Sequence, residues 1–248
     1  MKITKEVIDL IKKGKSINYI SNNTNFGKST VYYHYKKIRG RKIRLININF
    51  GNNNELGEFL GIFSGDGTFI FDKNYHYRIR IVSGYYEKEY RVYLENKLAS
   101  WFNKKPNIYY TKFNNKYSSV IFNYDSKEIY GLLRNYLFWQ GKKTYSIKLK
   151  RLDINNKEFN IGFLRGLIDT DGSYYSPKRR LSFSTVSKEL AYQVKNIIRY
   201  NLNINPIFEE FNKKDRAKLY TIALHGENAF KVLKNINPGN PNKNTVVI

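Results

Sequence analysis

The chain has 248 residues, and its 44 lysines and arginines outnumber 20 aspartates and glutamates, for a formal net charge of +24. Such an excess, spread along the whole chain, favours an extended polyanion, nucleic acid before an anionic membrane surface. The chain contains no cysteine, which excludes disulfide staples, thiolate metal sites and a cysteine nucleophile. No apolar run reaches membrane-span length and no N-terminal signal pattern is present, so the sequence reads as a soluble, intracellular protein.

Residues 1–40 read as a separate helical unit. Ile3, Val7, Leu10 and Ile11 recur at helical spacing, Gly14 breaks the run, and Ser16 can cap a short second helix through Ile17 and Ile20. Asn22 to Phe26 read as a turn, and a third helix begins near Gly27 with Val31, Tyr35 and Ile38 on its inner face. The pattern resembles the helix-turn-helix of site-specific recombinases and small repressors, in which the last helix enters the major groove by its first turn. Lys28, Ser29, Tyr32 and Tyr33 would then be the outward, DNA-facing residues. Residues 41–54, basic at Arg41-Lys42-Ile43-Arg44 and rich in breakers at Gly51-Asn52-Asn53-Asn54, read as a linker.

Two stretches beyond the linker resemble each other. The first is Phe59-Leu60-Gly61-Ile62-Phe63-Ser64-Gly65-Asp66-Gly67, and the second is Leu164-Arg165-Gly166-Leu167-Ile168-Asp169-Thr170-Asp171-Gly172. Each is an apolar helical run that ends in an acid followed by glycine. Each also carries small residues at four-residue spacing, Gly57, Gly61 and Gly65 in one and Gly162, Gly166 and Thr170 in the other. That spacing puts them on one helix face, where small residues let two backbones approach closely. Two such helices packed stripe to stripe place Asp66 beside Asp171. Gly67 and Gly172 fit the left-handed residue that often ends a helix.

Strand and helix signals follow each stretch in the same order. After the first, residues 68–71 and 75–82 alternate as strands, with His76, Arg78 and Arg80 facing away from Tyr77, Ile79 and Ile81. A helix over 86–102 follows, then a hairpin around Asn114-Asn115-Lys116 with Tyr110, Lys112 and Asn114 on one side, then a helix over 126–139. After the second, whose helix is expected over 157–169, come strands near 173–175 and 180–186, a helix around Leu190 to Ile198, a hairpin over 206–224 and a helix over 227–236. The repeat is αββαββα at an offset of about one hundred residues, the signature of an internal duplication. The fold class is therefore α+β, with halves at 55–150 and 151–248. His76, Arg78, Arg80, Lys112, Asn114, Arg180, Ser182 and Ser184 are the candidate base or phosphate contacts on the sheets, since Arg and Asn are the usual major-groove readers.

Leu164 to Gly172 resembles the motif of the LAGLIDADG homing endonucleases, and Phe59 to Gly67 is a divergent copy with Ser64 at the motif's first acid. Two motifs in one chain resemble the single-chain members. The resemblance implies two αββαββα halves about a pseudo-twofold axis, forming a saddle over double-stranded DNA. It implies a monomer that cuts both strands of a long site with a divalent metal, Mg²⁺ or Mn²⁺. Asp66 and Asp171 would hold the metal, completed by carbonyls near Gly65 and Thr170. A lysine after each half's last helix would reach the site: Lys143, or alternatively Lys142, and Lys243. Two other functions stay open, a DNA-binding regulator that no longer cuts and a maturase acting on intron RNA.

Overall fold

The computed structural model describes residues 4–39, 46–71, 77–212 and 217–243, and divides into two compact units, Met1–Leu45 and Ile46–Ile248. His76 and residues 41–45 of the expected linker lie outside the described residues.

The first unit holds α1 (Lys5–Lys12), α2 (Ile17–Asn22) and α3 (Lys28–Arg39). Gly14, at φ +79°, turns the chain out of α1, and the Ser16 hydroxyl accepts the Tyr19 N–H at 3.1 Å to start α2. Val7, Ile11, Ile20, Val31 and Tyr35 form a small core of their own. Ile38, expected on the inner face of α3, is exposed instead. Three short helices cannot cover a hydrophobic stripe to the last turn of the longest.

The second unit begins earlier than the sequence suggested. Ile46 is buried, Ile48 and Phe50 pack against the main core, and Asn49 N–H donates to Trp101 O at 2.7 Å. Asn52 accepts the Glu55 N–H through its side chain and caps α4 (Asn53–Asp66). There follow β1 (Gly67–Phe71), β2 (Tyr77–Gly84), α5 (Lys88–Phe102), β3 (Asn107–Phe113), β4 (Lys116–Asp125) and α6 (Lys127–Tyr136). A short bridge comes next: β5 (Leu137–Phe138), α7 (Lys143–Ser146) and β6 (Lys148–Leu149). The second half runs α8 (Lys157–Asp171), β7 (Gly172–Tyr175), β8 (Arg180–Thr185), α9 (Lys188–Leu202), β9 (Ile207–Phe211), β10 (Leu219–His225) and α10 (Gly226–Ile236). The two sheets have the same antiparallel order, β1-β2-β4-β3 and β7-β8-β10-β9. The fold is α+β with two αββαββα halves.

Each sheet is helix-covered on one face. Ile79, Ile81, Phe122 and Tyr124 of the first, and Leu181, Phe183, Ile222 and Leu224 of the second, belong to one continuous core. The turn Asn114-Asn115 has both residues at positive φ, 48° and 60°, as a tight two-residue hairpin requires.

Helices α4 and α8 lie between the halves, and their contact is backbone on backbone. A Cβ built on Gly57 would stand 2.1 Å from Phe159 O, one on Gly61 2.3 Å from Phe163 O, and one on Gly166 2.2 Å from Glu58 O. No side chain fits such a gap. Arg165 clamps this interface: its Nη1 donates to Asn54 Oδ1 at 2.8 Å and to the buried Glu58 Oε2 at 3.1 Å, and its Nε donates to Ile236 O at 2.6 Å.

Candidate functional site

Helices α4 and α8 end on Asp66 and Asp171, so the second motif helix runs two residues past its expected end. The close packing persists to that point: a Cβ on Gly65 would fall 2.1 Å from Thr170 Oγ1 and 3.1 Å from Asp171 Oδ2. The Thr170 hydroxyl is turned back onto its own helix, donating to Gly166 O at 2.9 Å. The glycines after the acids are needed for a different reason from the one expected. Gly67 (φ −80°, ψ 145°) and Gly172 (φ −74°, ψ 151°) are extended, not left-handed. They lead directly into β1 and β7, and a Cβ on either would lie 2.4 Å from the carbonyl oxygen four residues back.

Asp66 feels its partner's charge. Burial at the helix junction pushes the Asp66 carboxyl up to about 7, and the nearby Asp171 adds to the rise, while Lys143 opposes it. Asp171 is raised as well, again by crowding of its carboxyl, although the residue as a whole has an exposed side.

Lys143, at the start of α7, reaches across to the end of α4. Its ammonium donates to Phe63 O at 2.7 Å, Ser64 O at 2.8 Å and Gly65 O at 3.0 Å. These carbonyls belong to the last turn of α4, at the negative end of its dipole; Phe63 O also accepts the capping Gly67 N–H. Burial brings Lys143 down to about 8 against the pull of Asp171 and Asp66. Lys142, the alternative, is exposed and caps α7. In the second half Lys243, in a 3₁₀ turn at Pro241–Lys243, donates to Gly172 O. Each lysine therefore meets the end of its own half's motif helix. An open cleft of about 540 Å³ borders the first site, lined by Asp66, Thr68, Val82, Trp139 and Lys143 among others.

Among the described residues, no three His, Cys, Asp or Glu side chains form a group that could hold a metal by themselves. The donors that do converge are two carboxylates and backbone carbonyls, all hard oxygens. That set suits Mg²⁺ or Mn²⁺, which are commonly held by one or two carboxylates together with water and substrate phosphate. The residues fit a shared metal better than an enclosed one.

The sheet faces can be read from register. Arg80 pairs with Asn123, and Asn123 with Asn107, so these residues share the face opposite the core. Arg78, Arg80, Tyr109, Ile121 and Asn123 line a depression there. Arg78 Nε donates to Asp125 Oδ1 at 2.9 Å. Lys112 does not join this face: alternation from Asn107 puts it with Ile108 and Tyr110 on the helix-covered side, and its ammonium lies 4.9 Å from the Tyr117 ring centre. Asn114 sits in the hairpin turn rather than on a face. Asn107 and Tyr109 are the residues that sequence reasoning missed; their side of the sheet is set by pairing with a strand more than ten residues away. In the second sheet Arg180, Ser182 and Ser184 share the outer face. Arg180 pairs there with Glu209 at 3.2 Å, and Ser184 hydrogen-bonds Thr221 at 2.8 Å. In the first unit, Lys28, Ser29, Tyr32 and Tyr33 are all exposed on α3.

Residues 158–237 match the family model of the LAGLIDADG-like domain. The two-motif unit has the LAGLIDADG fold. It superposes on mesophilic variants of the homing endonuclease I-DmoI with a TM-score of 0.55, at 19% identity over 74% of this chain and 95% of that one. I-DmoI in complex with DNA and Mn gives 0.54, at 20% identity over 75% and 97% of the two chains. Full-length DUF199/WhiA from Thermatoga maritima gives 0.52, at 16% identity over 77% of this chain and 58% of that one. No curated protein sequence matches. Among the described residues, no helix is long and apolar enough to cross a membrane.

Proposed function

We propose that this LAGLIDADG chain is a metal-dependent endonuclease that cuts both strands of a long, asymmetric site in duplex DNA. The observation that carries the reading is the paired acid site. Asp66 and Asp171 close two glycine-packed helices side by side, and a lysine from each half reaches the end of its own helix. Asp66 and Asp171 would hold Mg²⁺ or Mn²⁺, with Thr170 O as a further oxygen; Gly65 O, the other carbonyl expected there, takes the Lys143 ammonium instead. The chemistry that such an ion would supply there is activation of water and stabilisation of charge on the leaving oxygen. Lys143 and Lys243 would offset charge on the scissile phosphates, one per strand. Arg78, Arg80, Asn107 and Tyr109 supply the outer face of one sheet, with Asn123 buried beneath them, and Arg180, Ser182 and Ser184 that of the other. That similar structures of I-DmoI hold their target DNA supports the choice of DNA.

In the N-terminal unit, α3 presents Lys28, Ser29, Tyr32 and Tyr33 to solvent and is followed in the sequence by a basic stretch, which supports a helix-turn-helix contact at one end of the site. Deleting residues 1–44 should shorten the footprint on one side only. The main experiment incubates the protein with Mg²⁺ and DNA flanking its own gene, with the reading frame removed. Discrete double-strand cutting is the expected result. Tight duplex binding without cutting in any divalent metal would leave a regulator, and preference for intron RNA would leave a maturase.

A further inference from the structure

Asp169, the first acid of the second motif, faces away from the paired acid site and is almost fully buried. Its two oxygens form a fork: Oδ2 accepts the Gly239 N–H at 3.0 Å and Oδ1 accepts the Asn240 N–H at 3.0 Å. Those amides open the segment that carries Lys243. Asn240, fully buried, continues the fastening. Its side-chain NH₂ donates to Asp169 O at 3.2 Å and, across the interface, to Glu87 Oε1 at 3.1 Å. Its Oδ1 accepts the Asn242 N–H at 3.1 Å, and its backbone O accepts the Lys243 N–H at 2.9 Å, closing the 3₁₀ turn. Glu87 is itself fixed by Gly84 N–H at 2.9 Å and the Ser83 hydroxyl at 3.2 Å. A buried carboxylate is costly unless its oxygens are hydrogen-bonded, and this one spends both oxygens on one segment. Among the described residues the first half shows no matching fork: the hydroxyl of Ser64, at the matching position, turns back to donate to Leu60 O of its own helix at 2.7 Å.

We propose that Asp169 and Asn240 are positioning residues for Lys243, holding its ammonium against the end of the second motif helix and so serving cleavage of one DNA strand only. The strand assignment rests on the nuclease reading above; the fastening of Lys243 does not. Asp169→Asn tests the fork at constant volume, because its amide NH₂ would face a backbone N–H and lose that bond.

The first readout is lysine acylation footprinting on the full chain without DNA. Lys243 should label faster in Asp169→Asn than in wild type, with Lys143 unchanged as the internal reference. Equal labelling of Lys243 in both proteins would overturn the proposal. The second readout is strand-resolved cleavage of a supercoiled target. Asp169→Asn should slow the same strand that Lys243→Met slows, by about 10–100-fold, and leave the other strand within twofold. Equal slowing of both strands would show a general structural role and overturn the positioning role. Asn240→Ala should repeat both patterns if Asp169→Asn folds poorly. A wild-type protein that does not cut, or Lys243→Met without strand preference, removes the nuclease or lysine assignment instead, and the footprint alone then decides the fastening.

Discussion

The two halves reach one arrangement by different fastenings. In each, a lysine about seventy residues past the motif comes back to its helix end. In the first half, Lys143 rides on α7, between the paired strands β5 and β6, and the Ser146 hydroxyl ties both ends of the loop through Gln140 at 2.7 and 2.9 Å. Local secondary structure positions it, and Ser64 is free to bond its own helix. Among the described residues after α10 the second half has a short segment and a 3₁₀ turn, with no strand pair, and there the motif's first acid does the fastening. The comparison teaches why a motif can lose one acid in one copy: that acid serves the segment behind the site, so it becomes dispensable once the segment is held otherwise. The second acid, which faces the site in both halves, has no such substitute.

The largest expected effect comes from removing what the halves share. Asp66→Asn with Asp171→Asn should bind the target as well as wild type or better in chelator, since two carboxylates no longer repel the phosphates. It should cut neither strand, a loss of about 10³-fold or more given what such electrostatic centres supply. Gel shift and Mg²⁺ cleavage on one substrate check this, and wild-type cutting by the double variant would remove the assignment of the acids.

A second contrast sets the interface against the periphery. Gly61→Ala drives a methyl into Phe163 O and should cost about 1–3 kcal/mol or prevent folding. Gly131→Ala, in α6 with open space around its Cβ, should gain about 0.5–1 kcal/mol from helix propensity. Urea midpoints of the two variants give the comparison. If Gly61→Ala were neutral, the helices would not touch as described.

Protonation separates the sites from the rest of the protein. Asp66 and Asp169 both stand near 7, above the ordinary 3.8 of a free aspartate. The folded state then binds more protons between those values, so this contribution to stability is full below about pH 4 and lost as pH rises through 7. Metal-free protein should therefore lose stability from pH 5 to 7.5 relative to the Asp66→Asn, Asp171→Asn variant, and Mg²⁺ should restore it above pH 7 but little at pH 5, where protons compete for the ligand oxygens. Thermal melts with and without Mg²⁺ at the two pH values measure both; a variant with the wild-type slope would sink the assignment. The smallest effect is expected of Ser64→Ala, which removes one intrahelical bond worth about 1 kcal/mol or less and should leave both strands' cutting unchanged.

How much of this was legible in the sequence follows the range of each interaction. The duplicated αββαββα order, the stripe of small residues and the paired acids rest on periodicity and on two copies of one local pattern, and all three could be read directly. Lys112 was assigned to the wrong face because alternation within a hairpin fixes which residues share a side but not which side meets the core. That choice is made by the pairing of Asn107 with Asn123 and Asn123 with Arg80. Strands of two residues, such as β5, and a helix of four, such as α7, are too short to show a period. The Asp169 fork joins residues seventy apart, and no local signal marks it. Gly67 and Gly172 were read as left-handed residues that end a helix; both are extended, and the carbonyl four residues back leaves no room for a methyl.

The glycine contacts between α4 and α8 also act as a gauge block. The spacing of Asp66 and Asp171 is set by the missing side chains at Gly65 beside them and at Gly57, Gly61, Gly162 and Gly166, up to about two and a half turns away. A methyl added there works like a shim, parting the two helices along their length and opening the gap at their tips. Residues that never meet a substrate thus hold the tolerance of the chemistry, and a change at Gly166 could detune the acid pair while every group at the site keeps its identity.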